Sequence, residues 1–241
     1  MVENRSNSVV ELEQVTFTWP GNQTPTLDIK QLHITKGEHL FIKGPSGCGK
    51  STLLGLLTGI NTTSSGQLRV LGQDLNQMKG SQRDKFRADH IGYIFQQFNL
   101  LPELTALNNV ALPLKLRGDK HAITKAMAWL EKVGLAHRKN HKPGELSGGE
   151  QQGVAIARAL VFEPNFIFAD EPTGNLDQKS ATEIADILFA CCQENNAGLV
   201  VVTHSNVLAS RAQHTFLLAN GSLADGQIRQ ESNEALKVVS C

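Results

Sequence analysis

The sequence lacks the features that would place it across a membrane, on nucleic acid or around structural zinc. No run approaches the ~18 consecutive apolar residues that a membrane-crossing helix needs. There is no net charge, because 23 Lys and Arg balance 23 Asp and Glu, so no overall basic footprint for nucleic acid exists. None of the 4 cysteines forms a C-x-x-C pair, which argues against a zinc site. The segment Met1–Ser8 is polar and has no apolar signal core, so the expected location is the cytoplasm. Internal repeats and low-complexity stretches are also missing. What remains, 40% hydrophobic and 19% charged over 241 residues, suits one sizeable α/β domain or two small ones. Cys191 repeats the helical spacing of Ile184, Ile187 and Leu188 and reads, like its neighbour Cys192, as part of a helix with a buried face. Cys241 ends the chain.

The most informative stretch is Gly44-Pro45-Ser46-Gly47-Cys48-Gly49-Lys50-Ser51-Thr52. It fits G-x-x-x-x-G-K-S/T, the phosphate-binding loop. An apolar strand, His39–Lys43, should run into it and a helix, Ser51–Leu57, should run out. Glycines allow the backbone to curl so that its N–H groups face phosphate oxygens, and the helix N-terminus adds its positive dipole end. Lys50 can then reach the β- and γ-phosphates, and the Ser51 hydroxyl can ligate Mg²⁺. A plain glycine turn would leave the Lys-Ser pair without a purpose. Cys48 sits within this loop, where phosphate-binding amides could lower its thiol pKa, and redox control through it is a minority reading.

Around the loop, Val9–Trp19 and Thr26–Thr35 should pair as antiparallel strands, with imperfect alternation in the first. Trp19 is equally compatible with edge packing and with stacking on a base. Gly66–Leu71 and Ile91–Phe95 should be strands and Gln82–Asp89 a helix. Leu104–Arg117 and Ala122–Val133 should be helices, the second amphipathic with Ile123, Met127, Leu130 and Val133 on one stripe. His137–Lys142 is a basic run expected to be a solvated turn. Ser147-Gly148-Gly149-Glu150 opens another helix with a capping box. Its two glycines are poor helix formers, at about 1 kcal/mol each against alanine, unless a phosphate must approach that backbone. Phe166–Ala169 reads as a doubly buried parallel strand ending in the carboxylates Asp170 and Glu171. Gln178–Gln193 should be a helix, and Gly198–Thr203 a second buried strand ending at His204. Asn220-Gly221 should turn a hairpin.

With these motifs in this order, from about Val10 to about Gly226, the chain resembles the ATP-binding subunit of an ABC transporter. The resemblance implies a P-loop NTPase (RecA-like) α/β core with an antiparallel β subdomain and an inserted helical subdomain. It implies a single domain over 1–241, with 1–96 and 161–241 as the core and 97–160 as the helical part. It also assigns roles: Gln96 as the Q-loop glutamine holding Mg²⁺ with Ser51 and Asp170, Glu171 as the catalytic carboxylate, and His204 as the switch histidine. Leu146–Glu150 is then the signature, acting on the nucleotide of a second copy, and Gly174–Asp177 is the D-loop. Trp19 falls where the family stacks an aromatic on adenine. The implied ligands are ATP and Mg²⁺, and the implied partners a separate membrane permease and a second ATPase copy, without nucleic acid. The protein would then sit on the cytoplasmic face of the inner membrane.

Phe95–Pro102 and Leu146–Gln152 look like the branch of macrolide-exporter and lipoprotein-releasing ATPases, with the cell-division ATPase as a near relative that signals without moving a substrate. A soluble translation or repair ATPase would carry two cassettes or a coiled-coil insertion, and a GTP switch would carry Asn-Lys-x-Asp; this sequence has neither. Glu171 and His204 are both present, against a cassette that binds without cleaving. Gly153 departs from the branch, which has Arg after the two glutamines. Restoring Arg is expected to stiffen that helix by about 1 kcal/mol and return a charge near the closing interface.

Overall fold

The strand β1, Ser8–Phe17, explains its own broken alternation. Val10 and Leu12 are buried on even positions, then Val15 and Phe17 on odd ones. The parity changes because pairing with the strand Ser65–Val70 slips between Glu13 and Thr16, and Gln14 takes a left-handed φ of 51° there. Such a bulge adds one residue and returns the apolar face to the core. Gly66 makes it possible, since a Cβ at that position would lie 2.2 Å from the Gln14 carbonyl oxygen.

The computed structural model describes residues 8–212 and 214–225; Cys241 and the Met1–Asn7 part of the polar N-terminal segment lie outside them. After β1 come β2 (Leu27–Thr35), β3 (His39–Lys43), α1 (Lys50–Leu57), β4 (Ser65–Val70), β5 (Gln73–Asp74), α2 (Gly80–His90) and β6 (Ile91–Ile94). The helices α3 (Ala106–Leu116), α4 (Ala122–Lys132) and α5 (Gly148–Leu160) follow. The chain then runs through β7 (Phe166–Asp170), α6 (Gln178–Glu194), β8 (Gly198–Val202), α7 (Asn206–Ala209), β9 (His214–Ala219) and β10 (Ser222–Asp225). An antiparallel four-stranded sheet has the order β2-β1-β4-β5, and a six-stranded sheet has β10-β9-β3-β8-β7-β6. Within the second, every pair except β9–β10 is parallel.

The unbroken apolar runs of β3, β7 and β8 are covered on both faces, as parallel strands require. Phe41, Ile167, Ala169, Leu199 and Val201 face one core with α3 to α6. Leu40, Ile42, Phe166, Phe168, Val200 and Val202 face the other, with β1, β2 and α1. At the edge, Asn220 and Gly221 take left-handed φ values of 48° and 76°, the geometry of a two-residue hairpin turn.

Three expectations need correcting in the helical part. On α4 the buried face is Ala122, Ala126, Trp129, Leu130 and Val133, while Ile123 is 44% exposed. The stripe is rotated because Trp129, the largest apolar side chain, takes the inward position. The basic run is only partly solvated. Arg138 Nε donates to Glu150 Oε1 at 2.7 Å, and the carbonyls of Lys139 and His141 accept from the first amides of α3, Leu107 and Ala106. This arrangement uses the run to close a helix N-terminus.

Gly153 is the third correction. It is buried on α5, and a Cβ there would meet Leu135 Cδ1 at 2.9 Å. An arginine would first have to displace the buried Leu135, so overpacking outweighs the gain in helix propensity. Gly153→Arg should therefore destabilise the chain by about 1–3 kcal/mol in urea unfolding, rather than stiffen it. Gly153→Ala, which only nudges the end of a leucine side chain, should stay within about 1 kcal/mol. An arginine variant as stable as the parent would contradict this account.

Candidate functional site

The parallel strands end at one level, and the chemistry gathers there. Ile42 on β3 pairs with Val202 on β8, and Val202 pairs with Asp170 on β7. Residues just beyond these pairs, Lys43–Gly44, Thr203–His204 and Glu171, therefore emerge side by side at the carboxyl edge of the sheet, where open α/β sheets bind ligands.

Gly44 leaves β3 so close to the edge of β9 that a Cβ would lie 2.3 Å from the Leu218 carbonyl oxygen. Gly49, with φ 105°, turns the chain into α1. No side chain caps this helix and no acidic residue occupies its first turn. Its N-terminal amides are thus left for an anion, as a phosphate loop requires. Lys50 Nζ donates to the carbonyls of Gly44 and Pro45, at 2.8 and 2.9 Å, and so arches back over the loop. Cys48 is half-buried against the apolar cluster below, which is a packing role.

Ser51 Oγ donates to Asp170 Oδ2 at 2.9 Å. Burial pushes the Asp170 carboxyl above its ordinary range; the Ser51 bond opposes this, and the Glu171 charge adds to it. The nearby Tyr93 phenol is raised as well, by burial and by Asp170. An exposed hydroxyl and a half-buried carboxylate in contact at the end of β7 suit a hard cation, whose charge would favour ionised Asp170. Among the described residues no group of three or more His, Cys, Asp and Glu could hold a metal alone. Mg²⁺ commonly takes one or two protein oxygens and completes its shell with phosphate and water. Gln96 is exposed; its side-chain amide lies beside Gly174, 3.2 Å from where a Cβ would be.

Glu171 turns the chain sharply away from the sheet with φ 46°, its amide still bonded to the Val202 carbonyl at 2.8 Å. Left-handed backbone at such a residue costs on the order of 1–3 kcal/mol and persists only where neighbours over-determine it. Three groups hold the carboxylate. Thr203 Oγ1 donates to Oε2 at 3.1 Å, the His204 amide donates to Oε2 at 3.4 Å, and His204 Nδ1 lies 2.8 Å from Oε1. With the carboxylate ionised, Nδ1 is the donor. Glu171 is 9% exposed, whereas the His204 ring remains mostly in solvent.

A second cluster forms around the start of α5. Ser147 caps it, with the Glu150 amide donating to Ser147 Oγ and the Ser147 amide donating to Glu150 Oε2. That amide and the Arg138 guanidinium are among the groups that hold the Glu150 carboxyl below its usual range. Gly148 and Gly149 keep this first turn free of side chains beside Leu176 and Ser180. Asp177 caps α6 through the amides of Lys179 and Ser180, and the Ser180 hydroxyl bond leads the causes that lower its carboxyl pKa. Asn175 Nδ2 donates to the Gln96 carbonyl at 2.9 Å. Among the described residues, no hydrogen bond or ion pair joins residues 147–150 to residues 44–52.

Trp19 is 42% exposed and meets Phe17 edge to face at 4.9 Å, so part of its ring remains open to solvent. Sequence reasoning missed Thr203, Arg158 and Asn109. Thr203 adjoins His204 at a strand end and could have been found from that position. Asn109, fully buried, donates to the carbonyls of Leu101, Leu104 and Thr105 and accepts from the Leu101 amide, which no local signal announces.

Comparison with known proteins places this geometry. Residues 27–174 match the ABC transporter family. The chain is 44% identical over 220 residues to the lipoprotein-releasing system ATP-binding protein LolD of Coxiella burnetii, covering 89% of this chain and 94% of that one. It is 47% identical over 197 residues to the ABC transporter ATP-binding protein YbbA of Escherichia coli K12, covering 81% and 86%. Among solved structures, the dimeric post-hydrolysis state of the ATP-binding cassette MJ0796 bound to ADP and Pi superposes with a TM-score of 0.82 at 37% identity, covering 91% of this chain and 99% of that one. A second dimeric structure of MJ0796, a bacterial ABC transporter cassette, gives 0.80 at 37% identity, with 89% and 96% covered. In sequence and in fold, the chain belongs to the ABC transporter family, as an ATP-binding cassette with ATPase activity.

Proposed function

We propose that the chain is the motor subunit of a transporter whose permease is a separate membrane protein, and that it serves release or export of lipoprotein or peptide substrates. The similarity to LolD supports that substrate class. The observation that carries the mechanism is the Glu171 carboxylate, fixed by Thr203 and His204 one residue beyond the Ser51–Asp170 pair. In that position it orients or deprotonates the attacking water, while His204 can reach toward the γ-phosphate from its solvent side. Lys50 and the amides of Gly44–Thr52 neutralise phosphate charge. Ser51 and Asp170, with Gln96 moving in from the Q-loop, would hold Mg²⁺, which draws charge from the phosphate oxygens.

The signature, Ser147 to Glu150, presents a capped helix start whose first residues, Gly148 and Gly149, carry no side chains, and it has no bond to the phosphate loop of its own chain. Such a terminus is complementary to the γ-phosphate of a partner's ATP. Two chains would thus sandwich two nucleotides head to tail, with Asp177 and the rest of the D-loop at the seam. The dimeric MJ0796 structures support this assembly. The dimer would close on ATP and reopen after hydrolysis, a two-state clamp. The division into a core of 1–96 and 161–241 with a helical part at 97–160 follows the same logic: one part holds nucleotide and the other carries the signature. The chain would lie against the cytoplasmic face of the membrane through its permease, and a membrane protein should co-purify with it.

Glu171→Gln keeps shape and hydrogen bonding but removes the base. Turnover should fall by about 10²-fold or more while ATP binding persists. Light scattering should then find this variant monomeric with ADP and dimeric with ATP. Near-normal turnover would overturn the role of Glu171.

Trp19 gives an optical test. In a Trp129→Phe background, ATP should change the fluorescence of Trp19, and ATP and GTP should bind with similar affinity, because stacking reads no base edge. An unchanged spectrum would return Trp19 to a packing role beside Phe17.

A further inference from the structure

Arg158 lies in the last turns of α5, the helix that begins at the signature. Its guanidinium is half-buried, and its recorded acceptors are main-chain carbonyls rather than carboxylates. Nη2 donates to the Phe98 carbonyl at 2.8 Å and Nη1 to the Asn99 carbonyl at 2.6 Å. Burial lowers the guanidinium pKa from its ordinary value, and among the described residues Arg158 has no ion pair. Phe98 and Asn99 are consecutive non-glycine residues with left-handed φ, 59° and 49°. That pair is intrinsically unfavourable. It turns two successive carbonyls toward α5, where the forked donors of a single arginine take both.

The same loop touches α5 at its other end. The Phe98 ring lies 3.9 Å from the position of a Cβ on Gly148, the first residue of the helix. Gln96, two residues before the clamped pair, is tied through its carbonyl to Asn175 of the D-loop. Beyond the pair, Asn109 holds residues 101–105 to α3. Between these two anchors, among the described residues, the bonds from Arg158 join the Q-loop to the signature helix.

We propose that Arg158 is a positioning residue that makes the Q-loop follow the signature helix, so that docking of the signature on a partner's ATP resets the backbone next to Gln96. The proposal rests on the head-to-tail reading of Ser147–Glu150. Arg158→Lys keeps the charge and most of the length but loses the fork, so one carbonyl at most stays bonded. Arg158→Gln removes the charge and serves as a second variant should the first fold poorly.

The test is hydrogen exchange on residues 96–101 and 147–152, with and without ATP, in the Glu171→Gln background. Without nucleotide, Arg158→Lys should already exchange about tenfold faster over 98–101, the equilibrium equivalent of one charge-assisted hydrogen bond. With ATP, the parent should gain protection in both segments. The variant should gain it over 147–152 while 98–101 stays at its nucleotide-free rate. In the otherwise wild-type chain, kcat should fall about tenfold with KM for ATP within about twofold, since binding survives and positioning is lost. If both segments still respond together in the variant, Arg158 is not the link. If α5 itself exchanges faster throughout, Arg158 is only a structural clamp, and the proposal is equally overturned. If ATP fails to protect 147–152 in the parent, the head-to-tail reading fails, and that result is recognisable because it appears before Arg158 is changed.

Discussion

The structure depends on where three parallel strands stop. β3, β7 and β8 are in register, so their carboxyl ends deliver the phosphate loop, the Asp170–Glu171 pair and the Thr203–His204 pair to one edge. Each of these segments alone is an ordinary strand end. Together they set a hydroxyl against a carboxylate at Ser51–Asp170, and a carboxylate against an imidazole at Glu171–His204. Neither arrangement would survive a one-residue slip, because the side chains would reverse faces. The doubly buried apolar faces of β3, β7 and β8 make such a slip costly, and so the core protects the geometry of the site.

The helical part answers a different need. It holds the capped, glycine-lined N-terminus of α5 as a rigid element and ties it to surrounding segments. Arg138 fixes Glu150, Ser147 fixes the first turn, and Arg158 and Phe98 join the helix to the Q-loop. The D-loop joins the same network through Asn175 and through Ser180 beside Gly149. A group docking at the signature would therefore act on several elements at once, through packed contacts that move as units.

Much of this was legible in the sequence, for physical reasons. Short apolar runs ending in Asp170-Glu171 or Thr203-His204 have few structural solutions, and the glycine loop before Lys50 has one. The Ser147–Glu150 capping box announces a helix start by itself. What escaped depended on long-range packing. The rotated face of α4 was decided by the bulk of Trp129, and the cost of a side chain at Gly153 was decided by Leu135, eighteen residues earlier. Arg138 looked solvated because its partner, Glu150, is close only in space. Arg158 bonds to main-chain carbonyls of a loop far away in sequence, and Asn109 to carbonyls of the turn just before its own helix, and no periodicity or motif reports such contacts.

The central claim is that each ATP site needs two chains, with the phosphate loop from one and the signature from the other. Mixing two defective variants tests it most directly. Lys50→Ala removes the phosphate-binding lysine, and Ser147→Arg blocks the signature; neither should hydrolyse ATP alone. A mixed dimer contains one site in which both halves are intact, so ATPase activity should appear when the two are combined. A mixture that stays at the sum of its inactive parents, at concentrations where the unmodified chain dimerises with ATP, would contradict the account.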